Sequence, residues 1–202
     1  MGLYLVAVLF ALLCLYFFLD VNYFLRHVTL MLLYHLRWKR RRLPLDAPDS
    51  SRGMCRLTDL DHMCHMNNAR YLRAFEYGRT CFGLKNGLWK AAANLKKTLL
   101  VAAVAVRYRK PLKLFQKYHI VTKLVHCQGR DLYVDQQLIT DSDNFVRATC
   151  LAKMTLTSGS VEELLAALKE NPSKFTDAPA EVKQFVDYNT MNSERLNPNK
   201  VK

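Results

Sequence analysis

Residues 59–83 read DLDHMCHMNNARYLRAFEYGRTCFG, and this stretch decides the fold. Its second half has a helical period. Leu72, Phe75, Arg79 and Phe82 share one face, with Tyr71, Ala74, Gly78 and Cys81 beside it. Gly83 is the expected stop. The first half is polar and reads as a loop, and Asn67 or Asn68 opens the helix, since Asn is favoured at an N-cap. Working outward, a short strand is expected at 54–58, preceded by a linker at 44–53 with two prolines and a serine pair. A second short helix and a turn fill 84–97. Four strands then follow, at 98–109, 118–127, 132–140 and 145–157. The first of these is rich in Val and small residues and reads as buried. In the last, Val146, Ala148, Cys150, Ala152, Met154 and Leu156 face one way, and Arg147, Thr149, Lys153 and Thr155 the other. The order is strand, long helix, antiparallel meander. This is an α+β domain whose sheet has one apolar face, with the 67–83 helix as its cover. The tail has helical stretches near 161–169 and 180–188, and the last dozen residues read as frayed.

The amino-terminal run is of another kind. Residues 3–19, LYLVAVLFALLCLYFFL, hold no charged side chain. As a helix they reach about 25 Å, slightly short of a hydrocarbon core of roughly 27–30 Å. No positive n-region precedes the run and no small-x-small cleavage site follows, so an uncleaved membrane anchor over 1–25 is expected. A cleaved signal peptide, and hence a secreted protein, is the alternative. Arg26, Arg37, Lys39, Arg40, Arg41 and Arg42 follow, with no acid between Val21 and Leu45. By the positive-inside rule this basic segment, 26–53 with the linker, faces the cytosol. Residues 28–36 between the charges are apolar but short, and read as an interfacial helix.

The chain has 202 residues, half of them hydrophobic, and a net charge of +13. With 7 Gly and 6 Pro it is neither collagen-like nor low-complexity, and a mean hydropathy of -0.08 excludes a polytopic membrane protein. With those six basic residues and Asp20 set aside, 24 basic and 16 acidic residues remain, which favours anions such as nucleotides, acyl-CoA or lipid. The basic positions neither form a heptad nor alternate with aromatics, so no nucleic-acid surface is read. The six cysteines lack CxxC spacing and suit reduced thiols in a cytosolic domain. His62, Cys64 and His65 lie beside Asp61, but no second His/Cys cluster follows at ligand spacing, so no metal is expected.

The element order, together with D-x-D-x-x-x-H-x-N-N-A-x-Y, resembles the hotdog-fold acyl-CoA thioesterases of the 4-hydroxybenzoyl-CoA thioesterase type. The residues here are Asp59, Asp61, His65, Asn67, Asn68, Ala69 and Tyr71, followed by Glu76 and Arg79. The likeness covers roughly 54–157, with 158–202 a helical tail. It implies an antiparallel sheet wrapped around a long central helix. It also implies a homodimer joined edge to edge with the site at the boundary, an acyl-CoA or fatty acyl thioester as substrate, and no cofactor. With the anchor, the expected place is the endoplasmic reticulum membrane, the domain in the cytosol.

A thioester needs a nucleophile or a base for water, donors at its carbonyl oxygen, and a dry slot for the acyl chain. The first N–H groups of a helix have no intrahelical partner and can be the donors. By its place in the motif Asp61 resembles the catalytic carboxylate. Glu76, on the helix, is the second candidate, and His65 orients groups. Asn67, Asn68 and Tyr71 are the substrate-binding candidates. Each has a plainer reading: Asp59 and Asp61 hold turns, His65 fixes the loop, Asn67 is only an N-cap, Glu76 and Arg79 form an ion pair, and Tyr71 belongs to the core. Cys64 stands where such thioesterases often carry Gly, which tolerates φ > 0. An enzyme and a non-catalytic acyl-CoA or lipid binder of the same fold are both compatible with the sequence.

Overall fold

The computed structural model describes residues 2–38 and 42–196. Lys39, Arg40 and Arg41 of the basic run, and the end of the tail from 197, lie outside the described residues. The chain forms two units, divided between Arg41 and Arg42. In the first, helix α1 (Gly2–Phe18) is followed by α2 (Val21–Leu33) and a π-helical turn, Tyr34–Trp38. Asp20 separates the helices. Its carboxylate accepts the Tyr23 N–H at 3.2 Å and caps α2. The two helical axes meet at 83°. Among the described residues no single helix is long and apolar enough to cross a membrane, whereas the bent pair has the length and composition to do so.

The second unit carries the sheet. Strands β1 (Asp49–Met54), β2 (Leu99–Tyr108), β3 (Lys117–Gln128), β4 (Asp131–Thr140) and β5 (Val146–Leu156) lie in the order β1-β3-β4-β5-β2, and every pairing is antiparallel. The four later strands stand within two residues of expectation. The first does not. The expected 54–58 strand lies earlier, inside the stretch read as linker, and Leu57–Asp59 is a 3₁₀ turn. The sequence of β1, DSSRGM, shows no apolar alternation. It pairs with β3 from Asp49↔Thr122 to Met54↔Lys117, and its buried positions are Asp49 and Ser51.

Helix α3 (Asn68–Lys85) lies across the inner face of the sheet, as expected of the cover. Tyr71, Ala74 and Phe75 pack with Ile120, Leu138, Ala148 and Cys150. Phe82 packs with Leu124, Leu132 and Met154, beside α4 (Leu88–Asn94) and α5 (Val161–Ala167). Gly83 is not the stop. A Cβ there would stand 2.3 Å from Trp89 Nε1, so its function is to admit the indole. The left-handed residue beyond the helix is Gly87, at φ 81°. Helix α6 (Ala180–Arg195) lies on the opposite sheet face, where Val182 and Phe185 bury Tyr133.

Strand β2 departs from its expected burial. It is an edge strand, and Leu100, Val101, Val104 and Tyr108 are all at least 40 % exposed.

Candidate active site

Two backbone clamps fix the loop ahead of α3. On one side Leu60 bridges Met66, and the Asp61 N–H donates to His65 O at 3.0 Å. On the other, the Met66 N–H donates to Leu112 O at 2.8 Å and His65 pairs with Lys113. The Tyr71 hydroxyl accepts the Leu112 N–H at 3.0 Å, so α3 holds the segment against which the loop is stitched. Tyr71 is buried and belongs to the core, and burial raises its phenol above the ordinary range. Asp59 is buried too. Its Oδ2 accepts the Arg56 N–H, and its carbonyl accepts the Asn67 N–H at 2.8 Å.

Asp61 and His65 are brought together. Asp61 Oδ1 accepts the Met63 N–H at 2.9 Å, an Asx turn, while Oδ2 lies 3.5 Å from His65 Nδ1. Cys64, exposed at the tip, has φ 57°. The position where the resemblance implies Gly therefore does take the conformation that Gly permits. Asn67 is the N-cap, with Oδ1 accepting the Ala69 N–H at 2.9 Å. Among the described residues the Asn68 N–H has no acceptor, and Asn68 is exposed. One oriented donor thus stands at the positive end of an 18-residue helix, next to the Asp61 loop.

Glu76 is not part of that group. It stands eight residues along α3 from Asn68, about 12 Å of helical rise. Arg79, 7 % exposed, donates to Gln136 Oε1 at 2.6 Å. Gln136 in turn donates to Phe75 O and Thr122 Oγ1, so this network ties α3 to β3 and β4. Sequence reasoning missed Tyr108. From β2 its hydroxyl donates to Asn68 O at 3.0 Å, and its ring meets Tyr71 edge-on at 5.3 Å between centroids. The motif gave no sign of it, because the pair is forty residues apart in sequence. It brings the exposed β2 edge to the amino terminus of α3. Among the described residues no three His, Cys, Asp or Glu side chains gather as metal ligands.

Residues 55–186 match the family model of the thioesterase-like superfamily. The chain belongs to this superfamily. It is 35 % identical over 193 residues to Protein THEM6 of Drosophila melanogaster, covering 95 % of this chain and 98 % of that one. Protein THEM6 of Danio rerio is 32 % identical over 177 residues, covering 88 % of this chain and 87 % of the relative. Among solved structures, the YbaW probable thioesterase of Escherichia coli superposes with a TM-score of 0.55 at 24 % identity, over 59 % of this chain and 96 % of that one. The hypothetical protein SAV2348 of Staphylococcus aureus, solved in complex with CoA, gives 0.56 at 16 %, over 70 % of this chain and 95 % of its own. The α+β arrangement of this superfamily member is the hotdog fold, its five-stranded sheet packed on α3.

Proposed function

We propose that this superfamily member is a membrane-anchored hydrolase of fatty acyl-CoA thioesters, working at the cytosolic face of the endoplasmic reticulum. One observation carries the reading: a carboxylate held in a clamped loop beside a helix amino terminus whose first N–H is free to donate to an oxyanion. Water attacks the thioester carbonyl carbon as Asp61 takes its proton. The Asn68 N–H holds the oxyanion, a kind of donor worth about 10²–10³ in rate. The C–S bond breaks and Asp61 returns the proton to the departing CoA thiolate. His65, beside Oδ2, sets the orientation of the carboxylate. Reading α1 as the anchor is supported by its composition, and the cytosolic side by the basic flank. The β2 edge is the surface on which a second copy pairs, because its apolar side chains are exposed and it borders Asn68 through Tyr108.

The test is release of free thiol from an acyl-CoA panel by the full chain in detergent. Asp61→Asn should lower kcat by about 10²-fold or more with little change in KM. Should Asp61→Asn keep its turnover while Glu76→Gln loses it, the acid sits on α3 and the assignment to Asp61 is wrong. A second reading, a non-catalytic acyl-CoA binder, is favoured by the Asx turn, which already occupies Asp61 Oδ1. Binding of acyl-CoA with no hydrolysis anywhere in the panel would establish it instead.

A further inference from the structure

The exposed apolar side chains of α2 are not scattered. Phe24, Leu25, Val28, Met31 and Leu32 are each at least 43 % exposed. At 100° per residue they fall within a stripe about 120° wide. The opposite side carries Asn22, Arg26 and the buried Leu30. The polar groups near the stripe are turned inward on their own helix. The Thr29 hydroxyl donates to Leu25 O at 2.7 Å, and His27 Nδ1 lies 3.0 Å from Tyr23 O. Internal pairing of this kind is what a low-dielectric surrounding demands. Helix α1 is apolar and exposed too, with Leu5, Val6, Leu9, Phe10 and Leu13 at its surface. At 13 residues, about 20 Å, α2 is too short to cross a bilayer. The Asp20 cap and the 83° bend turn it away from the axis of α1.

From this geometry we infer that α2 lies flat in the headgroup layer of an anionic membrane, with its apolar stripe toward the acyl chains, while α1 enters the hydrocarbon. The inference rests on the reading of α1 as anchor. Charge selects lipid over a protein partner. Arg26 and Arg37 stand on this unit and no acid occurs between Val21 and Leu45, which suits phosphate headgroups and an anionic surface. In this arrangement α2 is a skid that sets how the chain leaves the membrane, rather than a second crossing.

The test places a genetically encoded spin-labelled residue in turn at Leu9, Asn22, Phe24, Val28 and Leu32 of the full chain. The chain is reconstituted in vesicles of phosphatidylcholine with or without phosphatidylserine, and label depth is read from oxygen and nickel accessibility. The labels at Phe24, Val28 and Leu32 should share one shallow depth, about 5–10 Å below the phosphates, with Asn22 in water and Leu9 in the acyl layer. Without phosphatidylserine the three α2 labels should move outward while Leu9 stays deep. Depths graded by roughly 12 Å between Phe24 and Leu32 would show α2 running along the membrane normal and overturn the inference. So would α2 labels that never report lipid, or depths that ignore phosphatidylserine, with Leu9 still deep. An aqueous Leu9 would instead overturn the anchor reading itself.

Discussion

Cys64→Gly should stabilise the protein. Cys64 holds φ 57° at an exposed loop tip, so its side chain has little packing to lose. The left-handed region costs an L-residue roughly 1–2 kcal/mol. Glycine avoids that cost but returns about 0.5–1 kcal/mol through the greater freedom of its unfolded chain. The difference is a gain of about 0.5–1 kcal/mol, or roughly 1–4 °C in Tm for a domain of this size. Urea unfolding followed by tryptophan fluorescence, with the full chain in one detergent, measures it. Cys64→Val should shift the midpoint the other way, because a β-branched side chain tolerates positive φ least. Equal stability of the Gly and Val variants, or a less stable Gly variant, would show that the loop does not hold this backbone. The shape ascribed to the Asp61 turn would fall with it.

Other outcomes follow from the core. Gly83→Ala should cost about 1–3 kcal/mol despite its better helix propensity, because the new methyl meets the Trp89 indole and disturbs its 3.2 Å bond to Thr80 O. Thermal unfolding checks this, and Trp89→Phe in the same chain should restore part of the loss. Lys85→Met should cost about 3 kcal/mol in a urea titration, since Lys85 Nζ lies 2.6 Å from Asp49 Oδ1 and the carboxylate would stay buried without its cation. Adding Asp49→Asn should recover some of that. Burial pushes the Cys55 and Cys150 thiols up to about 11, and those of Cys81 and Cys127 to about 12. Their folded values exceed the unfolded ones, so the unfolded chain loses these protons first. Stability should be whole below pH 9 and fall as pH rises through 11–12, in denaturant midpoints measured across that range.

What the sequence revealed was local. Apolar alternation in β5 and the 3.6-residue period of α3 each need only a dozen consecutive residues, and both elements stand where they were read. Strand β1 escaped because its burial is polar. Asp49 Oδ1 is paired with Lys85, thirty-six residues on, and no pattern within DSSRGM announces that. Gly83 misled for a similar reason, since its partner Trp89 belongs to the next helix. Of the candidate site, the loop and helix end that carry Asp61, His65, Asn67 and Asn68 were legible because they lie within eight consecutive residues. Tyr108 was not, because only the closing of the sheet brings β2 to Asn68.

The placement of α6 has a consequence for stoichiometry. With α3 on one side of the sheet and Val182 and Phe185 of α6 seated over Tyr133 on the other, each broad plane carries a helix. The line for self-association that borders the candidate site is the β2 edge, with β1 as the edge at the far end of the sheet. Antiparallel pairing of such a line with its own copy is two-fold symmetric, and the contact is used up once it is made. Pairing of two copies through β2, as proposed above, would leave that edge with nothing further to bind, so growth beyond two copies would have to start elsewhere on the chain.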